Sequence, residues 1–572
     1  ILSRTSLNLQ VEKQDVEFSR IAETFEKLEA TQKNLEKTSI LAELFQESGD
    51  ELPEVVLLAT GSPFPAWKNM DLGVSSKTLV KIISKATGRS ESEIEEVWKN
   101  EGDLGLAAEQ MVEKKTQQRL MTQELTVDKV VKRLQKVAKT SAQGLSQSID
   151  QDKKQKELAD LISSAEPREA LYLARIIINN LRLGIGEGTI RDALDEAFFD
   201  SEHAEEIQKA YDFTNDFAEV SKACRKGIEE VNSLELQLYR PIKSMLAKKV
   251  ETIEDGFDEV GKPAAIDYKY DGMRAQVHVK DGEVKVFTRR LEDVTEQFPD
   301  VVEAVEKNID SENCIIDTEI VGYNPDTGGM IPFQKLSKRI KRKYDIQKLK
   351  AEIPVTVRPF DLIYLDEPIL EKKYSERWKK LQEIVAEEEK VMKMVDHAET
   401  SEEEKVGEMQ QKSLSEGHEG IMMKSLDAEY NPGNRVGYMV KLKPVMETLD
   451  LAIIAAKWSE GRRSDWLGRL FLGCYDEEKD EYLEVGKMAT GLTDEKFQEI
   501  TEKLKPLITK EEGRKVEVRP EVIVEVEYEE IQESPTYSSG YALRFPRMKQ
   551  FREDKEEADS LEKVRNLYED QQ

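Results

Sequence analysis

The feature that most constrains this chain is a change of hydrophobic period near Arg240-Pro241. Before it, apolar residues recur at three- and four-residue spacings, as in Leu9, Val11, Val16, Phe18, Ile21, Phe25 and Leu28, which predicts amphipathic helices. After it the period is two. Ala275, Val277 and Val279 alternate with Gln276, His278 and Lys280, Asp281-Gly282 turns the chain, and Val284, Val286 and Thr288 alternate back, predicting a hairpin. Further strands are expected at 314–322 and 355–365, and helices over 375–389 and on to Glu416. Beyond Lys443-Pro444 come short strands at 451–457, 469–475, 482–488 and 522–528, whose turns suggest a small barrel. Two periods in one chain exclude a single bundle or a single sheet. The expected fold is multidomain, α + (α+β) + β: an all-helical part over 1–236, a part with antiparallel sheets over 237–445, and a β-barrel over 446–572. A length of 572 residues accommodates that division.

A hydrophobic share of 38% is ample for several cores and excludes general disorder. No run of apolar residues is long enough to span a membrane, since the best, over 170–183, is broken by Arg175, Asn179, Asn180 and Arg182. The start, Ile1-Leu2-Ser3-Arg4, lacks the layout of a secretory signal and an initiator Met, so a trimmed cytoplasmic chain is expected. Three dispersed cysteines (Cys224, Cys314 and Cys474) exclude a disulfide framework and a CxxC zinc module. Four scattered histidines argue against a His-rich metal site. The net charge of -30 taken alone argues against nucleic acid, but net charge does not fix local charge, and an acidic exterior is compatible with basic inner walls.

Within the helical part, a long helix is expected over 171–183, followed by a turn with Gly184, Gly186 and Gly188 and a second helix capped by Thr189. A glycine-broken turn at a helix start exposes backbone N–H groups that suit a phosphate, and it equally fits a plain helix–helix corner. The richest stretch is Asp267-Tyr268-Lys269-Tyr270-Asp271-Gly272-Met273-Arg274. A lysine that forms a covalent bond must lose its proton, against an ordinary pKa near 10.4, and burial or a neighbouring cation lowers that value. Arg274 is placed to be that cation and to hold a phosphate. Read by itself, the stretch also fits a charged surface hairpin.

The segments that follow decide between the two. Phe287-Thr288-Arg289-Arg290, Ile315-Ile316-Asp317-Thr318-Glu319-Ile320, Val357-Arg358-Pro359-Phe360-Asp361, Glu419-Gly420-Ile421-Met422-Met423-Lys424, Lys441-Leu442-Lys443-Pro444 and Arg544-Phe545-Pro546-Arg547 with Arg552-Glu553-Asp554-Lys555 occur in one order. In that order and spacing the chain resembles the ATP-dependent polynucleotide ligases of the covalent nucleotidyltransferase superfamily, most closely the archaeal DNA ligases. The resemblance implies a helical DNA-binding domain, an adenylation domain and a C-terminal OB-fold domain. It implies Lys269 as the AMP-bearing nucleophile, with Asp267, Arg274, Arg289, Glu319, Phe360, Arg435, Lys441 and Lys443 around the nucleotide. Glu319 and Glu419 would face Mg²⁺, with Mn²⁺ as a possible substitute, because Mg²⁺ binds through one or two carboxylates plus phosphate oxygens. Arg544, Arg552, Asp554 and Lys555 would orient pyrophosphate in the first step. Taken singly, the glutamates also fit exposed strand carboxylates, Phe360 a core position, and Arg435 a salt bridge with Glu429. Two positions depart from the family pattern: Asp267 stands where Glu is usual, and Met439-Val440 stands where an aromatic precedes the first lysine.

Duplex DNA is favoured because the helical part also carries the resemblance, at 175–194, at Tyr211-Asp212-Phe213-Thr214-Asn215-Asp216, and at Arg240-Pro241-Ile242-Lys243-Ser244-Met245-Leu246. The cysteines cannot build the four-Cys zinc site of NAD-dependent ligases. The competing readings are an ATP-dependent RNA ligase and a catalytically inactive DNA-binding scaffold. Expected partners are ATP, nicked double-stranded DNA and, through Gln117, Leu120 and Met121, a sliding clamp; a nucleoid-associated monomer with no membrane association is implied.

The basic run Lys335, Lys338, Arg339, Lys341, Arg342 and Lys343 has only Asp345 close by and is expected to face DNA phosphates. Charge reversal of Lys341 and Arg342 should flatten the salt dependence of DNA binding, by about 0.9 in the log–log slope per lost contact. A titration series in salt checks this, and an unchanged slope refutes it.

Overall fold

The computed structural model describes residues 15–68, 70–115, 124–142, 147–340, 345–444, 446–459, 465–489, 492–569 and 571. The chain divides into two compact units, one of residues 1–94 with 104–443 and one of 95–103 with 444–572.

The first unit begins with helices. In Phe18–Ala30 the predicted stripe Phe18, Ile21, Phe25 and Leu28 is buried, as the periodicity required; Leu9 and Val11 lie outside the described residues. Two helical expectations need correction. The helix expected over 171–183 is Pro167–Ile177, and the chain then turns through left-handed backbone at Asn179 and Arg182 (φ 51° and 62°). The next helix, Glu187–Phe199, is entered through Gly186 rather than capped by Thr189. The buried Lys37 ammonium holds the intervening turn by donating to the carbonyls of Leu183 (2.6 Å) and Gly184 (3.1 Å). At the start of that helix the Glu187 carboxylate accepts from Lys243 and from the Tyr211 hydroxyl. The positive end of this helix thus already carries an anion from its own chain.

Two sheets follow in the same unit. Six strands form one antiparallel sheet in the order Glu283–Thr288, Met273–Lys280, Asn313–Tyr323, Val355–Leu365 and Glu367–Pro368, with Met330–Ile331 on Asn313–Tyr323. Five strands form the other, in the order Leu246–Val250, Arg435–Leu442, Ile421–Ser425, Ala264–Tyr268 and His397–Thr400. It is antiparallel except for its first pair, which runs parallel. The predicted hairpin is present, turning at Asp281 and Gly282 in left-handed backbone (φ 51° and 78°). Its second face is not solvated as simple alternation suggests. Gln276 exchanges hydrogen bonds with the backbone of Ile242, and His278 Nδ1 accepts from the Tyr239 N–H at 3.0 Å, so the lead-in segment covers that face. The stretch expected to be helical up to Glu416 is divided: helices Tyr374–Ile384 and Glu403–Ser415 flank a strand, His397–Thr400, that edges the five-stranded sheet.

The second unit carries a seven-stranded antiparallel sheet and, beside it, the antiparallel pair Glu530–Glu533 and Tyr541–Arg544. Glu481–Met488, Leu467–Asp476, Leu449–Trp458, Lys515–Val518 and Ile508–Glu512 lie in that order, and Ile523–Glu527 joins Leu449–Trp458 to Arg547–Phe551. These pairings confirm a β-rich C-terminal region. A closed barrel is not among the pairings of the described residues. Among the described residues no helix is long and apolar enough to cross a membrane.

Two buried ion pairs brace the six-stranded sheet. Arg377 is fully buried and grips Asp361 with two bonds of 2.8 and 3.0 Å, which ties the helix Tyr374–Ile384 to the strand that carries Phe360. Arg339 grips Asp300 at 2.6 and 2.8 Å and stacks over Phe298. Arg339 therefore leaves the expected DNA-facing row: its donors are used inside the unit, while Lys335 and Lys338 are exposed and Lys341, Arg342 and Lys343 lie outside the described residues. Removing one partner of such a pair leaves an uncompensated buried charge. Arg377→Met should lower the melting temperature, corresponding to about 3–5 kcal/mol, and Asp361→Asn with Arg377→Met should recover part of it. Thermal denaturation of the three proteins is the check; a neutral single variant would remove the pair from the fold's supports.

Candidate active site

Lys269 lies in the link, residues 269–272, between Ala264–Tyr268 of one sheet and Met273–Lys280 of the other. The link has little freedom. The Lys269 N–H donates to Gly420 O at 2.9 Å and the Glu419 N–H donates to Lys269 O at 2.8 Å, which extends the pairing of Tyr268 with Ile421. Gly420 adopts φ 121°, and a Cβ there would lie 2.3 Å from Leu442 O, so only glycine brings Glu419 back over the link. Gly272 has a matching role, since a Cβ on it would lie 2.7 Å from Ile320 O and 2.8 Å from Glu319 Cγ. Asp271 turns away and accepts the Phe333 N–H at 3.0 Å, anchoring the helix Phe333–Ile340.

These constraints gather the expected residues. The Lys269 ammonium pairs with the Glu419 carboxylate, which also takes Lys443 at 3.0 Å. Glu319 sits opposite Arg274 on the neighbouring strand. Arg274 and Lys424 both lie over the Phe360 ring, at 5.3 and 4.9 Å, and the ring is only partly buried. Arg289 follows the strand beside Arg274, its N–H bonded to Arg274 O at 3.2 Å, and it is exposed, as is Arg435. Lys441 lies opposite Met422, next to the Glu419 turn.

The electrostatics differ from the sequence expectation at Lys269. Burial pushes its amine down, but Glu419, Glu319 and Asp271 more than offset this and hold it above its usual value. Arg274 is not the depressing cation. Its guanidinium is neutralised by a two-bond pair with buried Asp317 at 2.6 and 3.0 Å, and it donates further to Met245 O and the Tyr430 hydroxyl. Arg289, by contrast, is pushed down by burial and by the charges of Arg274 and Arg435, with Glu319 pulling the other way. Glu419 is held down to about 2: its burial is outweighed by Lys269 and Lys443. Burial pushes Glu319 up to about 8, and it makes no hydrogen bond or ion pair among the described residues. A half-buried, unpaired carboxylate suits a hard divalent cation. No group of three or more metal-ligating side chains gathers among the described residues.

Asp267 is 1% exposed and turned into a buried cluster, paired with Lys424 at 2.6 Å and His397 at 2.7 Å. The cluster also holds Tyr374, and His397 stacks on Trp378 at 4.1 Å. Asp317, Tyr430, Lys424 and His397 were not singled out from the sequence. Asp317 had a signal, because period two places it on the same strand face as Glu319; His397 had none, because its strand is remote in sequence. In the second unit Arg544 pairs with Glu530 at 3.0 Å, and Arg552 pairs with Asp450 and Asp554, both at 2.8 Å. Lys555 also contacts Asp450. The proposed clamp segment, Gln117, Leu120 and Met121, lies outside the described residues.

Comparison with known proteins bears on the whole chain. Three family models match: "DNA ligase N terminus" over residues 17–195, "ATP dependent DNA ligase domain" over 244–443, and "ATP dependent DNA ligase C terminal region" over 463–555. Relatives named DNA ligase include one from Nanoarchaeum equitans, 42% identical over 97% of this chain and 98% of its own length. One from Methanopyrus kandleri is 41% identical over 97% and 99%, and one from Archaeoglobus fulgidus is 39% identical over 96% and 98%. The solved structure "Pmar-Lig_Pre." shares the fold at 17% identity, with TM-score 0.60 over 93% of this chain and 99% of that one. Matches of this extent, joined to a lysine and two glutamates held at one crossing of two sheets, establish that the chain belongs to the ATP-dependent DNA ligases.

Proposed function

We propose that this chain seals nicks in duplex DNA through an adenylate on Lys269. The observation that carries the reading is the backbone exchange between Lys269 and the 419–420 turn, which presses one amine, two glutamates and Lys443 together at the junction of two sheets. In the first step Lys269 Nζ bonds to the α-phosphorus of ATP. The bond from that phosphorus to the bridging oxygen breaks, its electron pair leaves on pyrophosphate, and the amine proton passes to solvent. A 5′-phosphate oxygen then takes the adenylyl group from the lysine, which regains a proton. Finally the 3′-hydroxyl oxygen attacks the adenylated 5′-phosphate, AMP departs, and the hydroxyl proton is lost.

Phosphoryl transfer asks the protein mainly for positioning and charge. Arg289, Arg435, Lys441 and Lys443 supply positive charge around the phosphates. Arg274, its donors occupied by Asp317, braces the Phe360 ring on which the adenine stacks. Asp267 acts on the nucleotide through its backbone and through Lys424, since both its oxygens are engaged. Glu319 and Glu419 would hold Mg²⁺, which when bound neutralises phosphate charge and makes the departing oxygens better leaving groups. The C-terminal sheet, read as an OB-type domain, contributes Arg544, Arg552, Asp554 and Lys555 to the pyrophosphate side.

Incubation with α-labelled ATP and Mg²⁺ should leave a covalent label that survives denaturing electrophoresis and disappears in Lys269→Ala. An unlabelled wild-type chain would leave the inactive-scaffold reading standing, and better sealing of nicked RNA than nicked DNA would favour the RNA ligase.

The raised Lys269 amine sets a pH dependence. The reactive form is the neutral amine, so single-turnover adenylation should go on climbing with pH up to the ordinary lysine pKa of about 10.4 without levelling off. Glu419→Gln withdraws the nearest carboxylate, which should move that limb to lower pH while reducing the maximum rate. Rapid-quench measurement at saturating ATP decides it; a limb unmoved by Glu419→Gln would show that the carboxylate does not hold the proton on.

A further inference from the structure

Two of the three cations assigned to the pyrophosphate side, Arg552 and Lys555, share one buried partner that lies outside the segments carrying the resemblance. Asp450, 6% exposed, lies on the strand Leu449–Trp458. Its two carboxylate oxygens accept from Arg552 Nη1 at 3.0 and 2.8 Å, and one of them also accepts from Lys555 Nζ. The opposite edge of Arg552 is held by Asp554 at 2.9 and 2.8 Å, but that carboxylate is largely exposed and only two residues away in the chain. Asp450 is itself fixed. Its N–H donates to the Asp559 carboxylate at 2.8 Å, and its carbonyl accepts the Asp559 N–H at 2.7 Å. The Arg552 N–H donates to Ile523 O at 2.9 Å on the adjoining strand, so acid and base are each tied to the sheet independently.

We propose that Asp450 is a positioning residue for enzyme adenylation: its buried carboxylate holds Arg552 and Lys555 together as one two-cation unit for the departing pyrophosphate. Two neighbouring cations repel and otherwise splay into solvent. A carboxylate shared between them lets both be oriented before the nucleotide arrives, and preorganised charge is what stabilises a leaving polyphosphate. Asp554, exposed and local, is the partner that gives way to phosphate oxygens, whereas Asp450 stays behind the pair. The inference rests on reading Arg552 and Lys555 as pyrophosphate contacts.

The test uses the full chain carrying Asp450→Asn, Asp450→Glu, Arg552→Ala or Lys555→Ala. Two reactions are measured: self-adenylation with α-labelled ATP, and sealing of a nicked duplex whose 5′-phosphate is already adenylated. Asp450→Asn should slow adenylation by about 100-fold, the usual scale of an ångström-level misplacement, and should leave the sealing of pre-adenylated DNA intact. Asp450→Glu should recover part of the loss. Combining Asp450→Asn with Arg552→Ala should add little to Arg552→Ala alone, because the carboxylate acts through that guanidinium. Equal losses in both reactions would mark Asp450 as a residue of the fold only and overturn the proposal. Faster adenylation would overturn it too, by showing that Asp450 withholds the cations. If Arg552→Ala and Lys555→Ala adenylate normally, the underlying reading fails; if they fail to adenylate while Asp450→Asn succeeds, the reading stands and the inference falls.

Discussion

The contact on which the rest depends is the clasp between Lys269 and the 419–420 turn. Two backbone hydrogen bonds and one ion pair join the link between the sheets to the start of Ile421–Ser425. Without that clasp the six-stranded and five-stranded sheets would still have their own cores, but the amine would swing on an open link. With it, the positions of Glu419 and Lys443 follow from the strand register, and Glu319 follows from the pairing of Asn313–Tyr323 with Met273–Lys280. The two glycines are consequences of the same crowding. At Gly420 and Gly272 a side chain would strike backbone oxygens at 2.3 and 2.7 Å.

The site resolves the apparent conflict of a chain of net charge -30 that handles polyphosphates. Its cations differ in how tightly they are held. Arg274, Arg377 and Arg339 are buried or half-buried and neutralised by Asp317, Asp361 and Asp300, so they brace the scaffold. Arg289 and Arg435 are exposed and repel each other. The resting lysine is protonated against Glu419. It is therefore not poised by nearby arginine; the neighbouring carboxylates favour its charged form.

Where the sequence could be read, it was read through periodicity. The stripe of Phe18, Ile21, Phe25 and Leu28, the hairpin at Asp281-Gly282 and the strand Val355–Leu365 all follow local rules that need no tertiary knowledge. The errors share a cause. Local pattern does not register an anchor supplied from far away: Lys37 arresting the turn at Gly184, the lead-in segment covering His278, or a strand at His397–Thr400 recruited to a sheet edge. Arg339 looked like one of a basic row because its partner Asp300 is thirty-nine residues back.

Residue order alone determined the division into helical and sheet-forming parts and the family, since each depends on spacing and residue type along the chain, and it singled out Lys269 for the role proposed above. Tertiary structure alone decided what those residues meet. It gave Arg274 to Asp317 rather than to solvent, turned Asp267 inward onto Lys424 and His397, and set Asp450 behind Arg552 and Lys555. The physical reason is that a buried charge must find an opposite one, and which one it finds depends on strand register and packing across the fold rather than on neighbours in sequence.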